Sequence, residues 1–291
     1  LVRTPHFEIE SNASEERTRY LAEKLERWHA VWRQVFFEYW SNPKTLQRWI
    51  DGKSSYRHSK KRYRVVFFAD RASYLQQLGR FVPGVEVSTG YYSPDYRLSF
   101  FYDDQSESVE ETWRHELTHQ LFRETIRTES AFEDQFIWLN EGVAIYTESL
   151  ADFGDYVTLG GFDSRRVQYA RIRLRMESTS YVPMNELANI GRRQLQQRSD
   201  ITRLYSQAAG ITDMLMNDDH GAMQAKLIEF LKLIYTGRKI KKGAFEKVIG
   251  HSYADLDSRY KEYLKVNADL VANHLTLPAT RTELSLSGAE L

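Results

Sequence analysis

Cysteine is absent from this 291-residue chain, which excludes disulfides, thiolate metal sites and cysteine nucleophiles. Net charge is absent too. Lys+Arg and Asp+Glu stand at 40 each, so no global field draws the protein toward nucleic acid or anionic lipid. No apolar run approaches the roughly 20 residues that cross a bilayer, which removes an integral membrane segment from the reading. Internal repeats and long low-complexity linkers are also missing. The chain opens on Leu1 rather than Met, so we expect the natural start, with any signal peptide, to lie upstream. What is present is globular in character, with 42% hydrophobic and 27% charged residues over a length that suits one large domain or two modest ones.

Hydrophobic periodicity divides the chain in two. The alternation in HFEIES (6–11) predicts a short strand. From Ser14 onward Leu21, Leu25, Trp28, Val31, Trp32 and Val35 form one apolar stripe, predicting a long helix that ends near Pro43. GKSSYRHSKKR (52–62) reads as a solvated basic loop. RVVFFA (64–69) reads as a buried strand, followed by a short helix capped by Asp70 and running through Leu78. VSTGYYSPDYRLSFFYDD (87–104) predicts a hairpin around Ser93-Pro94-Asp95. The acidic turn SESVEE then opens a helix through WRHELTHQLF, and a further helix begins near Trp138. After an extended DYVTLGGF, the remainder is helix-periodic, with helices expected near 163–177, 183–190, 200–217, 221–236 and 253–268. The arginines of RRVQYARIRLR are interleaved with apolar residues, which suits an exposed basic face. The expectation is an α+β protein: a mixed first part (1–150), a helical second part (151–275) and a flexible tail (276–291).

WRHELTHQLF carries the chemistry. Residues four apart on a helix lie one above the other, about 6 Å along the axis, so His115 and His119 can offer nitrogens to one point. Zn²⁺ bound there at about 2.0–2.1 Å would hold both rings. Glu116 would project beside the ion, positioned to take a proton from a water that the metal acidifies. Chance alone would place H-E-x-x-H in roughly one such chain in fifty. Here it lies within a well-formed helical pattern, and a third ligand has a candidate. Glu141, in WLNEGVAIYTE (138–148), sits far enough on for the chain to turn and start a second helix.

HELTH followed by WLNEG resembles the gluzincin superfamily of zinc peptidases, in particular the aminopeptidase N and leukotriene hydrolase group and small bacterial peptidase-MA-like proteins. The resemblance implies a zincin-like small mixed sheet with active-site helices, one zinc ion held by His115, His119 and Glu141, and Glu116 as the general base. Metzincins fit badly, because Phe122 and Thr125 stand where that class has Gly and His. Glu148, on the same helix face as Glu141, is either an orienting partner for a ligand histidine or a solvated charge. LYSQAAGITDMLM (204–216) is similar to the helix that carries the oxyanion-stabilising tyrosine in the aminopeptidase group. This similarity implies that role for Tyr205, although Gly210 is displaced from the family spacing and a plain core tyrosine is the alternative. His220 is the second candidate, and His6, His29, His58, His251 and His274 read as structural or exposed.

In gluzincins the edge strand pairs with extended substrate, which points to STGYY (88–92), with Gly90 and Tyr91 as substrate-binding residues or Gly90 as a simple bulge. The aminopeptidases place an amine-binding glutamate here. Gly90-Tyr91-Tyr92-Ser93-Pro94 has no acid, so endopeptidase cleavage of a peptide or protein is expected over aminopeptidase-type exopeptidase action. A zinc-retaining binding module is the rival. Nucleic-acid binding through the basic runs at 57–64 and 165–175 ranks third. Peptidases of this kind are commonly exported, so the expected location is periplasmic, secreted or cell-surface.

Overall fold

A computed structural model describes residues 1–53, 61–104, 106, 108–126, 136–161, 164–176, 181–236 and 240–275, with backbone alone at 43, 176 and 266–275. The chain begins with strands β1 (Val2–Arg3) and β2 (Phe7–Ser11), followed by helix α1 (Glu15–Val35). Ser14 caps α1 by accepting a hydrogen bond from the Arg17 amide, and Glu15 and Glu16 complement the helix dipole. The helical run expected to reach Pro43 breaks earlier. Phe36 leaves helical geometry, and a short α2 (Phe37–Trp40) follows. The break swings Phe36 and Tyr39 into the core, where both are fully buried. Periodicity alone did not reveal this bend, nor the next helix, α3 (Pro43–Ile50).

Strand β3 (Tyr63–Phe68), helix α4 (Arg71–Leu78), β4 (Tyr91–Ser93) and β5 (Leu98–Tyr102) complete a five-stranded sheet ordered β1-β2-β3-β5-β4. It is mixed: β2, β3 and β5 run parallel, while β1 and β4 pair antiparallel at the two edges. Period-two alternation assigns the faces. Phe7, Ile9, Val65, Phe67 and Phe101 turn into the main core, whereas Phe68 and Tyr102 pack with Tyr74 of α4 on the other side. The expected hairpin is present, but its first strand is shorter than STGYY. Residues 85–87 form a 3-10 turn and strand pairing starts only at Tyr91.

Helices α5 (Val109–Thr125) and α6 (Ile137–Glu148) come next, followed by a small hairpin of β6 (Ala151–Asp152) and β7 (Val157–Thr158). The rest is mainly helical: α7 (Arg165–Met176), α8 (Met184–Leu187), α9 (Arg192–Gln196), α10 (Ile201–Asn217), α11 (Gln224–Tyr235), α12 (Ala244–Ile249) and α13 (Tyr253–Leu275). Every expected C-terminal helix has a counterpart; short α9 and α12 are additions. The protein is thus α+β, a mixed sheet with helices followed by a helical region. The expected tail (276–291) and His58 lie outside the described residues. No described helix is long and apolar enough to cross a membrane.

Helix α6 is buried from Ile137 through Thr147 and packs between α5 and α10. A helix apolar on all sides is stable only when enclosed in this way. Gly142 permits it: a Cβ there would lie 2.8 Å from the Ala208 carbonyl oxygen and 2.5 Å from Thr212 Oγ1. Gly210 serves similar packing, since its Cβ would meet the Tyr260 ring and hydroxyl. One continuous hydrophobic cluster runs from Phe7 to Leu264, so the sheet region and the helical region share a core.

Candidate metal centre

Helix α5 brings His115 and His119 together one turn apart, with their Nε2 atoms 3.2 Å from each other. Glu141, on the first turn and a half of α6, places Oε2 3.6 Å from His115 Nε2 and 3.8 Å from His119 Nε2. These three residues form a group able to hold a metal ion. A tetrahedral ion with bonds of about 2.0–2.1 Å sets its ligands about 3.3–3.4 Å apart. The His–His edge already meets that spacing, and a few tenths of an ångström of carboxylate movement closes the other two. Two imidazoles and one carboxylate suit a first-row transition ion or zinc, and not calcium or magnesium, which prefer all-oxygen sites.

The charges are strongly coupled. Burial works against the charged form of His119, and the His115 charge adds to this, bringing it down to about 4. Burial opposes charge on His115 as well, but hydrogen bonds with Glu141 and Glu148 outweigh it and hold this ring well above the usual imidazole range. Burial likewise opposes the charged Glu141, yet the neighbouring His119 and His115 keep it low, at about 2. A cation held by both imidazoles would need their facing nitrogens free of protons, so its binding would release the proton of the 3.2 Å Nε2–Nε2 contact.

His115 has an outer partner. His115 Nδ1 lies 2.8 Å from Glu148 Oε1, and Arg166 Nε donates to the other Glu148 oxygen at 3.4 Å. Glu148 is therefore engaged with a cluster histidine and is not a solvated charge. The Asn140 side chain acts on His119 in the direction that favours its charged form. Asn140 Oδ1 in turn accepts from the buried Tyr235 hydroxyl of α11. Such partners fix ring orientation and tautomer. Asn140 stands within the WLNEG motif, but nothing in the spacing assigned it a task. Tyr235 carries no sequence signal, because its approach to α6 depends on how distant helices pack.

Glu116 stands half-buried beside the cluster. Its Oε2 accepts a 2.8 Å hydrogen bond from the Tyr92 backbone amide on edge strand β4. Burial, with the Glu141 and Glu148 charges, raises its affinity for a proton. Gly90 is buried directly against α5. A Cβ there would lie 2.8 Å from Thr112 Cγ2 and 3.2 Å from Glu116 Cγ, so its missing side chain is what lets the chain settle onto the Glu116 segment. Tyr91, half-buried, stacks on Phe100 with centroids 6.3 Å apart. Tyr205, on the second turn of α10, is raised by burial and by the Glu141 charge, so its phenol stays protonated. Arg192, at the start of α9, is exposed and its charge acts on His119, Glu141, Tyr91 and Tyr205. No motif marked it in the sequence. His220 lies on an exposed 3-10 turn at Asp218–Gly221.

No protein-family model matches this chain, and no curated protein matches it either.

Proposed function

We propose that the protein is a zinc metallopeptidase of gluzincin type that cleaves peptide bonds within extended peptide or protein segments. One observation carries this reading: the Glu116 carboxylate is pinned by the Tyr92 amide beside the convergent His115, His119 and Glu141 donors. A metal-binding module has no need of an acid held in place at that position, whereas hydrolysis does.

In this reading His115, His119 and Glu141 hold the ion. Zinc, when bound, supplies Lewis-acid polarisation of water and of the scissile carbonyl. Glu116 takes the proton from the attacking water on its carboxylate and delivers it to the departing amine. Its raised proton affinity favours taking that proton up. The Tyr92 hydrogen bond occupies one oxygen and leaves the other to carry the proton. The protonated phenol of Tyr205 donates to the developing oxyanion. Edge strand β4, with Gly90 and Tyr91, lines the substrate's path by strand addition.

The test compares wild type with Glu116→Gln for zinc content and for cleavage of casein. One zinc per chain in both, with only wild type cutting, is the expected result. Zinc in both and cutting by neither, across a panel of unstructured proteins, favours a zinc-retaining binding module. A wild type that takes up no zinc overturns the metal assignment itself.

A further inference from the structure

A second group of metal-ligating side chains lies outside this centre. His6 sits just before β2; Glu26 and His29 lie on α1. One ligand atom from each falls within 4.8 Å of the others. Glu-x-x-His at i, i+3 is a spacing that helical bundles use to aim a carboxylate and an imidazole at one metal. The third donor arrives from the strand region. His6 Nδ1 lies 2.6 Å from Glu26 Oε2, and the His6 amide donates to Glu26 Oε1 at 2.8 Å. The two rings stack with centroids 4.0 Å apart and a 31° tilt.

We propose that His6, Glu26 and His29 form a second cation site, one that takes an imidazole-preferring divalent ion such as Zn²⁺, Cu²⁺ or Ni²⁺. Two imidazoles and one carboxylate make a donor set that hard cations such as Mg²⁺ and Ca²⁺ bind poorly. His29 is buried, while the His6 and Glu26 side chains keep 21% and 25% of their surface open. The site therefore has a floor and an entry. The His6–Glu26 contact of 2.6 Å is closer than the roughly 3.3 Å expected between co-ligands of a tetrahedral ion, so holding an ion would require the carboxylate to move aside and give up that hydrogen bond.

The surroundings suit a bracing task. Phe7 and Tyr63 pack around His29, at the end of the sheet where β2 and β3 begin. An ion here would tie the start of β2 to the middle of α1, joining residues 20 and more apart in sequence.

The proposal is independent of peptidase activity, and the test keeps the two separate. Zinc is titrated calorimetrically into wild type, into a His115→Ala/His119→Ala background, and into that background with His6→Ala. Elemental analysis after dialysis serves as the second readout. Wild type should bind two equivalents, the background one, and the His6→Ala triple variant none. Because His6 is partly exposed, its replacement should leave the fold intact; Glu26→Gln, which keeps size and shape, repeats the test. A background that binds no zinc while wild type binds one overturns this site and leaves the α5–α6 centre standing. Wild type and background each binding one equivalent overturns the α5–α6 centre instead. Zinc retained unchanged after both His6→Ala and Glu26→Gln also overturns the proposal.

Discussion

Two groups of two histidines and one glutamate occur among the described residues, and their surroundings divide them more than their donors do. In the α5–α6 group the histidines are one helical turn apart, His115 has Glu148 as its outer partner, and Glu116 is held alongside by a backbone amide. In the β2–α1 group the glutamate is itself the outer partner of His6, and the rings lean on each other. Donor atoms suffice to bind an ion. Under the proposed function, reaction chemistry needs a further proton carrier that is oriented and close, and in the first group Glu116 is held where it can fill that role.

The largest effect expected in breaking this contrast comes from Glu116→Gln, which makes the first group resemble the second. Turnover on casein should fall by about 10²–10⁴, the range for a positioned general base, while zinc content stays at wild-type level. Casein turnover undiminished in this variant would mean that Glu116 is a structural acid. Tyr205→Phe ranks next. Loss of an oxyanion donor lowers kcat by about 10²–10³ with metal retained, and steady-state kinetics should show the change in kcat with little change in KM. An equal loss of zinc would instead make Tyr205 part of the scaffold.

Glu148→Gln probes the outer partner of His115. Zinc affinity, measured by competition with a chromogenic chelator, should weaken by about 10–100-fold. Tyr235→Phe removes the donor to Asn140 and leaves a buried acceptor short of one hydrogen bond. Denaturant unfolding should show a loss of about 1–3 kcal/mol, with a smaller fall in zinc affinity than Glu148→Gln produces. An effect on affinity as large as that of Glu148→Gln would rank the Asn140 branch equal to the Glu148 branch. Smallest of all is the effect of His6→Ala on casein turnover, expected to be nil even as one equivalent of zinc is lost.

How much of this was legible beforehand follows from the range over which each signal acts. The strands at 6–11 and 64–69, the α4 cap at Asp70 and the helices at 137, 201 and 253 were readable because alternation, capping and helical stripes are local. The early end of α1 was not, because Phe36 leaves the helix to reach Phe122 and Trp32 in the core, and no neighbour in sequence announces it. The strand expected over 88–92 began late for a similar reason. Gly90 is pressed against α5, and the chain straightens into pairing only past that contact.

His115 and His119 are brought together by four residues of helix, and that geometry needs no tertiary structure. The α+β division likewise follows from a change of hydrophobic period along the chain. Sequence alone also marked Glu141 and Glu116 as residues of interest. Tertiary structure decided the rest: that Glu141 meets both rings, that an amide of β4 pins Glu116, that Tyr235 reaches Asn140, and that His6 finds Glu26 and His29. Each of these contacts joins elements separated by a turn or by most of the chain. Their meeting depends on how whole faces pack, as at Gly142, where the lack of a single methyl group sets how closely α6 and α10 approach.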